Sequence, residues 1–130
     1  MDQFFQHYQE YQEYLKSIGK SIHTNRAYLH DLQAFALWFR TSSGEELSPR
    51  AVDPKDITEY RGDLLRTGSK PSTTNRRLIS LRRFFVWAHR QRLVEDSPFD
   101  MLERVYVREQ STQEIAPRWL DGMEQLALLR

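Results

Sequence analysis

Cysteine is absent from the sequence. That excludes both a disulfide-stapled secreted scaffold and a thiolate metal site. Long apolar runs are absent as well: nothing approaches the roughly 18 consecutive apolar residues of a membrane-spanning helix. The opening stretch, Met1-Asp2-Gln3-Phe4-Phe5-Gln6, lacks the basic start and extended apolar core of a secretory signal. A cytoplasmic location with no membrane partner is the expectation. There is no glycine-rich phosphate loop, no nucleophile elbow and no paired-carboxylate motif. His7, His23, His30 and His89 are too scattered for a ligand spacing. No cofactor, metal or small-molecule substrate is expected, and no catalysis by these residues alone. The most informative absence is local. Residues 69–92 contain Lys70, Arg76, Arg77, Arg82, Arg83, Arg90 and Arg92, and not one Asp or Glu.

That local excess disappears in the average. The formal net charge is only +1, because acids dominate on either side: six acids against four bases in 41–68, and eight against four in 93–130. A strongly basic segment between acidic ones has a polyanion such as double-stranded DNA as its natural partner. The remaining composition is that of a folded chain. It is 39% hydrophobic and 28% charged, with 12% aromatics to fill a small core. At 130 residues, one domain with its own core is expected.

The periodicity predicts an all-α fold of four to five helices and no strand. The first helix covers about 2–17, with Phe4, Phe5, Tyr8, Tyr11, Leu15 and Ile18 at steps of three and four, Asp2 as N-cap and Gly19 as stop. The second covers about 22–40 behind Ser21. Tyr28, Leu29, Leu32, Phe35, Ala36 and Phe39 share its apolar side, with His23, Arg26, His30 and Gln33 opposite. The third covers about 54–67, capped by Asp53 with Pro54 at the first helical position, its inner side Ile57, Tyr60, Leu64 and Leu65. The fourth covers about 71–91, with a buried stripe of Leu78, Leu81, Phe85 and Ala88 adjoined by Phe84. One further helical turn is expected at 98–102. Residues 104–118 read as a linker after a domain spanning 1–103. Residues 119–130 read as the opening helix of a second domain.

Opposite the buried stripe of the fourth helix lie Thr73, Arg76, Ser80 and Arg83, spaced three, four and three, with Arg90 continuing the row. A major groove admits a helix, and arginine is the commonest side chain to pair with a guanine edge. Ser72 and Thr73, with the free N–H groups of the helix start, suit phosphates, and Asn75 stands among the candidate DNA contacts. Lys70 and Arg77 add charge, and Thr24, Asn25, Arg26 and His30 give the second helix a comparable polar side. Two plainer readings stand beside this one. A basic helix face can simply be solvated, although solvated faces usually mix both signs in i,i+4 pairs. The chain can also be a helical protein–protein module whose basic face docks an acidic partner. Trp87 falls between Arg83 and Arg90 and is expected to pack against another helix or a further domain. His30 also fits a plain surface position.

Several stretches resemble one known family. Gly19-Lys20-Ser21-Ile22-His23-Thr24-Asn25-Arg26-Ala27-Tyr28-Leu29-His30-Asp31-Leu32-Gln33-Ala34-Phe35, followed by Trp38, resembles the second helix of the core-binding domain of tyrosine recombinases. Its form there is Ser, Asn/His-Thr, Tyr, Asp-Leu, a large apolar residue and Trp. Ser72 to Ala88 is similar to the fourth helix of that domain. Leu93-Val94-Glu95-Asp96-Ser97-Pro98 is similar to the loop that follows, and Ala116-Pro117-Arg118-Trp119-Leu120 with Glu124 and Leu128-Leu129 to the start of the catalytic domain. The resemblance is strongest to the Xer-like and phage-type integrases. It implies a SAM-like orthogonal helical bundle that clamps one side of a recombination site, its second and fourth helices along the major groove. It also implies neighbouring protomers on DNA as partners, met in part by the first helix. Strand cleavage in this family belongs to a tyrosine, arginines, a lysine and histidines of the catalytic domain. Tyr8, Tyr11, Tyr14, Tyr28, Tyr60 and Tyr106 match none of those positions, so no catalytic residue is carried over.

Overall fold

Serine at position 21 sets where the second helix begins. Its backbone is extended (φ −64°, ψ 157°) and its hydroxyl accepts from the Thr24 N–H at 3.1 Å. The computed structural model describes residues 3–102 and 105–108. Within them the order is α1 (Gln3–Ser17), α2 (Ile22–Ser43), a short 3-10 turn (Pro49–Ala51), α3 (Pro54–Arg66) and α4 (Pro71–Arg90). No strand occurs among the described residues. The fold is an all-α four-helix bundle. The expected N-cap Asp2, most of the expected linker and the helix expected over 119–130 lie outside the described residues.

Each helix ends for a local reason. α2 runs three residues past its expected end, to Ser43, and meets Gly44, whose φ of 81° lies in the left-handed region; its N–H closes on the Arg40 carbonyl at 2.8 Å. Before α3, the Asp53 N–H donates to the Asp56 carboxylate at 2.9 Å, and Pro54 takes the first turn. Gly68, at φ 98°, ends α3 with the Ser69 N–H on the Leu64 carbonyl. α4 stops with Arg92 in the left-handed region at φ 64°, where glycine is the usual residue. The turn expected at 98–102 is a pair of tight hydrogen-bonded turns, Asp100 N–H to Ser97 and Leu102 N–H to Phe99, rather than a helix.

α4 packs chiefly on α2 and also on α3, while α1 packs on α2. The core joins Tyr11 and Leu15 of α1, Leu29, Leu32, Phe35 and Phe39 of α2, Ile57 and Tyr60 of α3, and Leu78, Leu81, Phe84 and Phe85 of α4. Leu47, Val52, Val94 and Phe99 close it from the loops. Two aromatic clusters carry much of the packing. Tyr11 meets Phe84 edge-on at 5.2 Å and Trp87 at 5.2 Å; Phe35 meets Tyr60 edge-on at 5.0 Å, beside Trp38. The Trp38 indole N–H is satisfied by Asp63 of α3 at 2.7 Å, which fixes α3 to α2.

Candidate nucleic-acid interface

The outward side of α4 is what its packing leaves over. Thr74, Leu78, Ser80, Leu81, Phe84, Phe85, Trp87 and Ala88 are all buried. At 3.6 residues per turn they cover roughly half the circumference. The sequence reading allowed for one narrow stripe. The arc is wider because α2 and α3 press on α4 while α1 lays Tyr11 and Tyr14 against Trp87, the helix contact expected for that tryptophan. The exposed residues are therefore Pro71, Ser72, Arg76, Ile79, Arg82, Arg83, Val86, His89 and Arg90. The outward face is turned by roughly a quarter of the circumference from the one read in the sequence.

That rotation corrects several site residues. Ser80, expected to approach base edges, is 3% exposed and donates to the Asp31 carboxylate at 2.7 Å. Asn75, expected among the DNA contacts, has both ends of its amide engaged: it donates to the Val107 carbonyl at 2.8 Å and accepts from the Val107 N–H at 2.6 Å. Arg77 is half-buried against Tyr60 rather than open to solvent. Burial pushes the Tyr60 hydroxyl above its ordinary range and Arg77 pulls it partly back, although no well-aligned hydrogen bond joins the two. Arg76 stays half-exposed, but its Nη1 donates to Asp31 at 2.7 Å.

Other candidates sit as the sequence suggested. Lys70, Ser72, Arg83 and Arg90 are exposed and Thr73 is partly so. Lys70 stands at the N-cap of α4 with no side-chain cap, so the N–H groups of the first turn keep no side-chain acceptor. On α2, Arg26 and His30 are exposed. Thr24 accepts from the Ser21 hydroxyl at 3.0 Å as part of the helix start, and Asn25 is half-buried. The Arg83 guanidinium lies 5.5 Å over the Tyr28 ring of α2. Among the described residues, Arg76 is the α4 cation with a carboxylate within 4.0 Å.

Sequence reading missed several residues here. Ile79 and Val86, 43% and 40% exposed, run down the middle of the outward face with Arg82 and His89 beside them. Asp31, 1% exposed beneath Arg76, was missed as well. It is the single acid in residues 16–40, a signal visible in the sequence but silent without the packing partner. No group of three or more His, Asp or Glu side chains able to hold a metal occurs among the described residues, and no helix there is long and apolar enough to cross a membrane. The chemistry this surface can perform is recognition of an anion with apolar edges: cations on both flanks and two aliphatic side chains between them.

Comparison with known proteins points the same way. Tyrosine recombinase XerD of Proteus mirabilis is 34% identical over 84 residues, 65% of this chain and 26% of that protein. Tyrosine recombinase XerC of Syntrophus aciditrophicus is 33% identical over 85 residues, 62% of this chain and 27% of that protein. Tyrosine recombinase XerC of Neisseria meningitidis serogroup C is 30% identical over 125 residues, 95% of this chain and 41% of that protein. The chain thus spans between about a quarter and two-fifths of the length of these relatives. No solved structure matches it. Residues 8–92, from α1 to the end of α4, match the phage integrase N-terminal SAM-like domain, and the chain belongs to that family.

Proposed function

We propose that this domain binds double-stranded DNA as the non-cutting clamp of a site-specific recombinase, with α4 seated in a major groove and α2 alongside it. The observation that carries the reading is the outward face of α4. Arg82, Arg83 and Arg90 are exposed, and no carboxylate lies within 4.0 Å of them among the described residues. Cations held apart from their own protein's acids are available to phosphates. Ile79 and Val86 between them suit the methyl groups of thymines, which apolar side chains contact in that groove. The uncapped start of α4, with Lys70, Ser72 and Thr73, suits a backbone phosphate. Arg26 and His30 of α2, with Thr24 and Asn25 nearer its start, supply the neighbouring contacts. The relatives' name, tyrosine recombinase, supports the same assignment.

Other protomers on the same DNA are the second class of partner in this reading. α1 leaves Phe5 54% exposed while Phe4 and Tyr8 pack partly against the core, so Phe5 is the aromatic it offers to a neighbour. A cytoplasmic location belongs to the proposal, because the DNA is there. Cleavage and strand exchange would fall to the catalytic part of a longer protein.

Titration of the chain into a fluorescent duplex at about 50–200 mM salt tests the reading. Binding that weakens steeply with salt is expected. No binding at the lowest salt would overturn it. Selective retention on an immobilised acidic peptide rather than on duplex DNA would favour the protein-docking alternative.

A further inference from the structure

We propose that Asp31 is a positioning residue. It holds the Arg76 guanidinium in one direction, so that Arg76 acts as a directional donor to a guanine edge and not as one of the charges that attract the DNA backbone. The inference rests on the reading of α4 as the groove-facing helix.

Three observations carry it. The Asp31 side chain has no exposed surface, and a single oxygen, Oδ2, accepts from Arg76 Nη1 at 2.7 Å and from Ser80 Oγ at 2.7 Å. A carboxylate taken out of water needs such donors, so it binds Arg76 as firmly as Arg76 binds it. Its other oxygen, Oδ1, is buried without a hydrogen-bond partner among the described residues, and the His30 ring nitrogen is 3.9 Å from it. Second, the Arg76 side chain keeps 49% of its surface in solvent. One nitrogen is committed inward, and the rest of the planar fork stays available. Third, α2 restrains Arg83 as well, through the face of Tyr28, one turn before Asp31.

The charge balance separates the roles. A guanidinium 2.7 Å from a buried carboxylate forms a dipole with it, and little of its field survives over the ~10 Å that salt allows. Arg76 is therefore a poor attractor of phosphates compared with Arg82 or Arg90. Its orientation, however, is set on folding, so docking costs it little further rotamer freedom. A fixed arginine fork is the arrangement that pairs with guanine O6 and N7.

The test selects bound sequences from duplexes with a randomised centre, then measures affinity for the most enriched duplex and for an unselected one. In Asp31→Asn, affinity for the enriched duplex falls about tenfold, within the range of one paired arginine–guanine contact. Affinity for the unselected duplex holds or rises, because Arg76 regains its charge. Arg76→Lys keeps Asp31 compensated and the charge in place, yet loses the guanine preference. Both variants are checked for folding by circular dichroism; if Asp31→Asn does not fold, Arg76→Lys decides alone. The proposal is overturned if Arg76→Lys enriches the same guanine as the parent, or if Asp31→Asn changes both affinities in parallel. A parent that binds every duplex alike leaves the DNA reading standing and sinks this one, whereas a parent that binds none sinks both.

Discussion

Arg76 belongs to the interior as much as to the surface, and that decides what its removal does. Arg76→Ala leaves the buried Asp31 carboxyl with Ser80 alone, which costs about 1–3 kcal/mol of stability, the range for a buried polar group that loses a partner. Ser80→Ala removes a single hydrogen bond to a charged group and costs about 1.5 kcal/mol. Urea unfolding followed by circular dichroism checks both, and Asp31→Asn combined with Arg76→Ala should lose less than the sum of the two. Equal losses at Arg76 and Arg82 would show that Asp31 has no stake in Arg76. Tyrosines give the residue scale a pH signature. Burial holds the Tyr11 hydroxyl, and to a lesser degree that of Tyr60, above the ordinary value of 10.0. Past pH 10 the unfolded chain releases these protons while the folded chain keeps them. The stability is thus complete below about pH 10 and falls above it, by up to about 1.4 kcal/mol per pH unit for each group. Urea midpoints at pH 8 and pH 11 report the loss, and phenolate absorbance should show fewer tyrosines titrating at 10 in the folded chain. Tyr11→Phe should flatten the decline.

At the scale of elements, the starts of α2, α3 and α4 were legible because they are chemical and local. Ser21, Asp53-Pro54 and Pro71 mark them, and the bounds agree with the reading there. The face of α4 was not legible. A stripe of Leu78, Leu81, Phe85 and Ala88 fixes one side of a wheel but not how far burial extends around it, which depends on how many neighbours pack there. Arg92 offers a test of α4's end. A non-glycine residue at φ 64° is strained, so Arg92→Gly should raise stability by about 0.5–1 kcal/mol, seen as a higher melting temperature. An unchanged or lower melting point would mean that the Arg92 side chain contributes packing of its own. Asn75 joins α4 to residues 105–108, where Val105 is buried against the core. Asn75→Ala removes two hydrogen bonds worth about 1 kcal/mol each, and faster amide exchange at Val107 is the expected readout.

For the whole molecule, the charge distribution makes the sharpest claim. A net charge of +1 conceals an α4 face on which Arg82, Arg83 and Arg90 are exposed with no carboxylate within 4.0 Å among the described residues. Arg82→Ala and Arg90→Ala should each flatten the slope of log affinity against log salt by about 0.9, the value of one lost phosphate contact. Neither should change stability by more than about 0.5 kcal/mol, since both are exposed. Anisotropy titrations across a salt series check the slopes, and parallel melts check the folds. A slope that does not move on either substitution would place the DNA contact elsewhere on the bundle.

Two kinds of information meet in this chain. The sequence by itself determined the class: the amphipathic helices α1 to α4, the caps at Ser21 and Asp53, the acid-free basic segment and the family resemblance, all properties of neighbours along the chain or of order within it. Only the tertiary structure decided which residues of α4 remain outside. Ser80 and Asn75 moved from candidate contacts to internal bonds, and Asp31 emerged as the partner of Arg76 across 45 residues of sequence. The physical reason is that a helix wheel fixes relative directions around one axis, whereas solvent exposure is set by every neighbour packed against that axis, and those neighbours come from distant parts of the chain.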